Sequence, residues 1–147
     1  MILDERGEFA DATALSTAGA GTTNLGDQIP LSVARNVGSP PRPLYVVIQV
    51  VAAVTGATSV AFQLVSDSVN PPLVDGTQTV HWTSKALAPA ALLAGTTVAV
   101  IPLPGEPPAY ELYLGIQAVI VGTASAGSVN AFLTHDPKQW KAYPDAT

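Results

Sequence analysis

The chain of 147 residues contains no cysteine and a single methionine. The absence of cysteine excludes disulfide scaffolds, thiol nucleophiles and cysteine-ligated zinc sites. Charge is also scarce, because aspartate, glutamate, lysine and arginine make up 12% of the residues, against roughly 25% in an average soluble protein. The six basic residues are dispersed and the net charge is −5. This composition excludes nucleic acid as a partner, since phosphate contacts need clustered lysine or arginine.

A chain of this length folds as one domain and buries a core without covalent staples. Charged residues are rarest between Pro43 and His135. In that stretch they are Asp67, Asp75, Lys85, Glu106 and Glu111. Much of the surface must therefore consist of small neutral side chains, which is natural for a subunit that buries surface in an assembly. The alternative is a soluble all-β domain with a surface rich in serine and threonine.

A charge-free run of 22 residues at 44–65 is long enough to raise the question of a membrane span. Gln49 and Gln63 lie inside this run, the pair Thr55 and Gly56 interrupts it, and β-branched residues dominate it. It therefore predicts two strands joined by a tight turn at 54–57, and no membrane contact. The N-terminal residues lack the basic and apolar regions of a secretion signal, so we expect synthesis in a reducing cytoplasm.

Hydrophobic periodicity predicts seven or eight short strands between turns rich in proline and glycine. The clearest strands are at 44–54, 58–66, 77–83, 96–103, 110–121 and 128–134. One helical turn is predicted at 89–94, and Gly115 inside a strand indicates a bulge or a close backbone approach. Many short strands with almost no helix predict an all-β fold, either a β-sandwich or a barrel.

Two tails flank the predicted sandwich of residues 16–135. Residues 1–15 are expected to form an arm or a short helix and not a strand, and residues 136–147 an extended arm. Both tails carry apolar side chains that would remain in water unless the tail docks on a partner. The predicted anchors are Ile2, Leu3 and Phe9 in the first arm, and Trp140 and Tyr143 in the second.

No constellation in the sequence predicts an enzyme. His135 and Asp136 are adjacent, so their side chains point apart on a strand, and residues 122–127 lack the spacing of a nucleophile elbow. His81 and His135 set no metal-ligand spacing. The glycine-rich residues 19–24 lack the third glycine of a dinucleotide site and precede no helix. The sequence therefore predicts no catalytic, cofactor-binding or metal-ligating residue, and no cofactor.

Three further residues are candidate contacts. Trp82 follows His81 on a polar strand, where the pair would suit stacking on a sugar; alternatively, the ring fills a sandwich edge or a subunit contact. Arg35 and Arg42 stand on either side of a proline-rich connector. They could hold the carboxylates of a partner, and the alternative is two exposed charges.

Segments spread over nearly the whole chain, in their order and spacing, are similar to those of a known family. These segments are Met1–Asp4, Phe9–Ala12, Asn24–Gly26, Ala34–Gly38, Pro43–Val50, Leu93–Thr96, Val100–Pro104 and Asn130–Leu133. In them the chain resembles the Bbp16-like capsid cement, or decoration, proteins of tailed bacteriophages. It departs from that pattern at Pro107 and Pro108 and in the tail beyond Asp136.

The resemblance implies a jelly-roll-like antiparallel β-sandwich with extended N- and C-terminal arms. It also implies a place in the virion, on the outer surface of an icosahedral head, where the protein would bridge subunits of the major capsid protein. Such a protein would stabilise the shell against internal DNA pressure. Self-association is expected, as a homodimer or alternatively a homotrimer.

Two other functions remain open from the sequence. One is a head or tail appendage that binds carbohydrate on the host surface. The other is an unrelated oligomeric β-protein, or an enzyme whose activity would depend on His81 or His135.

Overall fold

The structure is a computed structural model that describes residues 5–15, 19–31 and 43–138. Over these residues the chain forms six strands and two short 3-10 helices. The strands are β1 (Glu8–Ala14), β2 (Gly21–Pro30), β3 (Tyr45–Asp67), β4 (Thr79–Thr83), β5 (Thr97–Pro102) and β6 (Tyr113–Thr134). The 3-10 helices are Glu5–Gly7 and Pro89–Ala91. The second of them confirms the helical turn predicted at 89–94.

All strand pairs are antiparallel, and β3 and β6 pair along their whole length. This long ribbon folds over near its middle, so each of its strands contributes to two layers. We call the layers sheet I and sheet II. Sheet I has the order β1, residues 128–134 of β6, residues 45–54 of β3, then β5. Sheet II has the order β2, residues 113–121 of β6, residues 59–67 of β3, then β4.

This connectivity is that of a jelly roll. If the two halves of β3 and of β6 are counted separately, the described residues contain eight strand segments in chain order. Sheet I then has the order 1-8-3-6 and sheet II the order 2-7-4-5, because each half of the ribbon pairs with a different flanking strand. The predicted all-β, jelly-roll-like sandwich is confirmed.

The tight turn predicted at 54–57 is wrong, since β3 continues through it. Thr55 pairs with Ala126 and Ala57 with Gly122 on β6, so both strands bend together with irregular register and neither reverses. Gly56 has the positive φ that the sequence suggested, 84°, but uses it for a bend. The expected break between strands at 122–127 is likewise part of continuous β6.

The bend brings the two backbones close together, which restricts the residues that can occupy it. A Cβ atom on Gly127, whose φ is 131°, would lie 2.9 Å from the Val54 Cα atom. The hydroxyl groups of Thr55 and Ser125 meet across the ribbon at 3.0 Å. The glycine and hydroxyl residues at this position therefore allow the long ribbon to fold over, and this bend creates the two layers of the sandwich.

Alternating side chains fill the space between the sheets, as the period of two in the sequence predicts. Val46, Ile48 and Val50 from sheet I and Phe62 and Leu64 from sheet II belong to one core cluster. On β6 the inward residues of the same cluster are Leu114, Ile116, Ala118, Ile120, Val129 and Ala131.

The N-terminal segment requires a correction. The expectation of no strand within residues 1–15 is wrong, because Glu8–Ala14 forms β1 at the edge of sheet I. Phe9 is 1% exposed and belongs to the core cluster, so its own sandwich covers the side chain that we assigned to a partner. Phe9 is the one large apolar side chain of this strand and Ala10 beside it is also buried, so no period of two marks the strand in the sequence. In the described ranges no helix has the length and apolar character needed to cross a membrane.

Candidate functional site

The loop between β3 and β4 is held in place by one carboxylate. We call residues 68–78 the β3–β4 loop. Asp67, the last residue of β3, is buried, and its Oδ2 atom accepts a hydrogen bond from the Leu73 amide at 2.9 Å. Its Oδ1 atom accepts one from the Val69 amide at 3.2 Å. Two loop segments are therefore drawn to a single side chain, which places Val69 and Leu73 side by side.

A polar network joins this loop to the outer face of sheet II. Gln117 of β6 is buried on that face, and its Nε2 atom donates to the Leu73 carbonyl at 3.1 Å and to Asn24 Oδ1 at 3.0 Å. Asn24 of β2 donates in turn to the Pro72 carbonyl at 2.8 Å. Gln78 completes the network with a 3.4 Å contact to Gln117 Oε1. The side-chain amide of Gln117, although buried on an outer face, thus finds hydrogen-bond partners in the loop that covers it.

Gly115 provides the space that this packing needs. It lies on β6 in the position opposite Val65, and a Cβ atom on it would lie 3.3 Å from Pro72 Cγ and 3.5 Å from Gln28 Cγ. The sequence predicted a bulge or a close backbone approach at this glycine. The pairing of β2 with β6 is irregular here, between Leu25 and Ile29, but the groups that approach the glycine are side chains. The nearest of them is a proline ring from the β3–β4 loop.

The β3–β4 loop presents apolar side chains outward although its backbone is tied down. Val69, Leu73 and Val74 are 46%, 40% and 50% exposed. Val80, on β4 beside outward-facing Val65, adds a fourth exposed side chain on the same side of the sheet. We call Val69, Leu73 and Val74 the apolar tip. Exposed apolar groups on an ordered backbone are typical of a surface that binds another molecule.

A second polar cluster lies inside the same end of the sandwich. Ser66 Oγ lies 2.8 Å from His81 Nε2 and accepts a hydrogen bond from the Glu111 amide at 3.0 Å. The His81 ring stacks on the Tyr110 ring with a centroid distance of 3.9 Å. Tyr110 donates its hydroxyl proton to the Pro104 carbonyl at 2.6 Å. These contacts close the space between β3, β4 and the segment before β6.

Burial determines the proton affinities in this cluster. It lowers the pKa of His81 from its ordinary value, while the carboxylates of Glu111 and Glu106 oppose that shift. Burial, with a further contribution from Glu106, raises the pKa of Tyr110 to about 12. The His81 Nδ1 atom is buried and has no hydrogen-bond partner within the described residues. At neutral pH the cluster therefore favours a neutral imidazole beside a neutral phenol.

The Ser66–His81 pair has the composition of a nucleophile and a base, but Ser66 is fully buried in the core side of β3. The carboxylate of the third polar partner, Glu111, accepts a hydrogen bond from the Thr79 hydroxyl at 2.7 Å and none from the imidazole. The contacts of Ser66, His81 and Glu111 are therefore those of a structural network that holds the end of the sandwich together. In the portion of the chain that the structure describes, no group of three His, Asp or Glu side chains is placed to hold a metal ion.

The residues predicted as partner contacts fall into two groups. Phe9 and Trp82 are described, and Trp82 is partly buried and packs against the core, so its ring fills a sandwich edge. With His81 stacked on Tyr110, the two rings do not form an open platform for a sugar. The other predicted contacts lie outside the described residues: Ile2, Leu3, Arg35, Arg42, Trp140 and Tyr143.

Sequence reasoning missed the β3–β4 loop as a site. The strands predicted at 58–66 and 77–83 leave this segment as a connection with no assigned role. The signal that was present is a cluster of Val69, Leu73 and Val74 in a segment otherwise made of turn residues. Loops are normally polar, so three large apolar residues there needed either a core contact or a partner.

Together, the fold and the site define a jelly-roll protein that carries an exposed apolar surface on the loop over one sheet. The Bbp16 family model matches residues 9–133, which include all six strands except the first residue of β1 and the last residue of β6. The chain therefore belongs to the Bbp16 family. No curated protein matches this sequence.

Proposed function

We propose that this protein is a capsid cement protein of a tailed bacteriophage, which binds the outer surface of the head and bridges subunits of the major capsid protein. The observation that carries the proposal is membership of the Bbp16 family over residues 9–133, together with the likeness of the sequence to Bbp16-like cement proteins. The jelly-roll sandwich agrees with that likeness, since it is the fold that the likeness implies.

The physical character of the molecule supports a structural role. Antiparallel pairing ties β3 to β6 from Tyr45 to Asp67, with irregular register only at the bend, so both layers are built on the same two strands. A cement protein adds contact area between neighbouring capsid subunits, and roughly 1,200–2,000 Å² is enough for a specific complex. Repetition over the shell then resists expansion through many weak contacts at once.

The scarcity of charge supports an assembled state. Between Arg42 and Lys138 the only lysine or arginine is Lys85, while large apolar side chains such as Val69 and Val74 are about half exposed. Contact with the shell, and with a second copy in a homodimer, would remove such groups from water. The proposed location is the outer surface of the virion.

Sedimentation with empty heads tests the proposal. The full-length chain is mixed with heads assembled without it from the major capsid protein of the same phage, and the pellet is analysed. We expect saturable binding at a fixed number of copies per head and a higher temperature of head disruption. A chain that stays in the supernatant at every concentration, with heads no more heat-resistant, would overturn the proposal.

The same assay tests the C-terminal anchors. A Trp140→Ala/Tyr143→Ala variant should bind heads more weakly if the second arm docks on the shell, because aromatic anchors dominate interface energies. The matched control, Tyr45→Ala/Trp82→Ala, removes the same two ring types from half-buried positions of the sandwich. We expect this control to lower the stability of the fold before it affects head binding. Full affinity in the Trp140/Tyr143 variant would remove these residues from the interface.

A further inference from the structure

The β3–β4 loop has the properties of a preformed contact. Its backbone is held at Val69 and Leu73 by Asp67, and at Pro72 and Leu73 by Asn24 and Gln117. The apolar tip is therefore presented without a further loss of backbone entropy on binding. Evolution could have placed polar residues at these exposed positions at no cost to the core, because none of the three side chains belongs to it.

The charge around the loop is of one sign. Residues 63–82 and 104–117, which carry or flank the loop, contain four carboxylates and no lysine or arginine. Asp67 is buried beneath the loop, so the carboxylates at the surface are those of Asp75, Glu106 and Glu111. Asp75 is fully exposed at the loop, and hydrogen bonds from Thr77 lower its pKa, so it is ionised at neutral pH.

Among the described residues, the basic side chains lie outside these two segments. Lys85 follows β4 by two residues, beyond the end of the strand that is remote from the loop. Arg6 lies in a groove along β2 that it shares with the carboxylates of Glu8 and Asp27. An apolar centre within a negative rim is the result.

We propose that the apolar tip of the β3–β4 loop docks on a protein surface of the shell that presents apolar side chains within a rim of lysine or arginine. This inference rests on the proposed function, because the shell is its partner. A second copy of this chain is the wrong occupant, since it would bring its own surface carboxylates, those of Asp75, Glu106 and Glu111, against the first set. Self-association therefore uses another surface.

The experiment compares two matched triple variants in the head-binding assay. Val69→Ser/Leu73→Ser/Val74→Ser removes the apolar tip. Leu93→Ser/Val100→Ser/Val121→Ser removes one leucine and two valines of similar exposure, 57%, 43% and 53%, away from the loop. We expect the first variant to bind heads at least about tenfold more weakly and the second to bind like the wild type. Equal thermal unfolding midpoints of both variants establish that both are folded.

Charge is tested separately. Asp75→Lys should weaken binding by about tenfold and Asp11→Lys, on β1 of the other sheet, should not. Wild-type binding should also weaken between about 50 mM and about 500 mM NaCl, because salt screens the basic rim from the carboxylates.

The outcomes separate this inference from the proposed function. If the wild type binds heads and the apolar-tip variant binds them equally well, the loop is not the contact while the cement role stands. If the apolar-tip variant instead loses self-association in sedimentation equilibrium, the loop is a contact between copies, and the inference is overturned. If the wild type itself does not bind heads, the proposed function is the part that fails.

Discussion

The Oδ2 atom of Asp67 lies 2.9 Å from the backbone nitrogen of Leu73, six residues further along the chain. Through this contact the end of a core strand positions an exposed loop. The same carboxylate also binds the Val69 amide, so a single buried side chain organises both sides of the apolar tip. The geometry of the proposed contact surface thus depends on a residue that no partner touches.

Replacement of Asp67 should release the loop. Asp67→Ala leaves the Val69 and Leu73 amides without their acceptor, and we expect the free energy of unfolding to fall by about 2–3 kcal/mol. Urea unfolding measures the loss, and amide hydrogen exchange at Val69 and Leu73 should become faster. Asp67→Asn keeps one acceptor oxygen, and its free energy of unfolding should fall by about half as much. A change below about 0.5 kcal/mol in the alanine variant would show that the carboxylate does not hold the loop.

Gly115 should tolerate alanine poorly. The added methyl group would meet the Pro72 ring at 3.3 Å and push the β3–β4 loop away from sheet II. We expect a loss of about 1–2 kcal/mol in thermal or urea unfolding. Gly105→Ala is the matched control, because a Cβ atom there has no neighbour within 4 Å. Equal stability of the two variants would contradict the packing of Pro72 on Gly115.

The bend of the ribbon should depend on Gly127. Gly127→Ala combines a positive φ of 131° with contacts of 2.8 Å to Val54 Cγ2 and 2.9 Å to Val54 Cα. We expect a loss of about 2–4 kcal/mol, larger than that of Gly115→Ala, because a backbone atom cannot move aside as a proline ring can. Differential scanning calorimetry of both variants ranks them, and the reverse order would refute the argument.

Acidification should destabilise the protein through His81. Burial lowers the pKa of the folded imidazole below its ordinary value of 6.5, so below that pH the unfolded chain binds more protons than the folded one. Stability is therefore complete above about pH 6.5 and declines as the pH falls from there through the folded-state pKa.

His81→Gln provides the control for this titration, because the amide can still contact Ser66 but takes up no proton. Unfolding free energies at about pH 7.5 and about pH 5 should differ more in the wild type than in the variant. An equal loss in both proteins would show that His81 carries none of the acid sensitivity and that the carboxylates carry all of it.

Much of the fold could be predicted from residue patterns. The inward positions in the second half of β3, Val60, Phe62 and Leu64, follow from a period of two that needs no knowledge of the partner strand. β1 could not be found in this way, because Glu8–Ala14 contains one large apolar side chain, Phe9, among acids and alanines. Its identity as a strand depends on pairing with β6, more than 100 residues away in the chain.

The contact surface was less predictable than the sheets. Trp82 and Phe9 carried the strongest apolar signal, and both pack inside their own sandwich. Burial of an aromatic ring in its own core or in a partner leaves the same mark on a sequence. Val69, Leu73 and Val74 acquire meaning only when Asp67 and Gln117 are seen to hold their backbone.

The sequence by itself determined that this protein is all-β and that its surface carries few charges with an acidic excess, because strand periodicity and composition are local properties. Only the tertiary structure decided that β3 bends where a hairpin was expected. A glycine with positive φ serves either purpose, and the choice rests on the contact of Thr55 with Ser125, 70 residues further along the chain. The apolar tip was decided in the same way, by hydrogen bonds from strands distant in sequence that meet at one end of the sandwich.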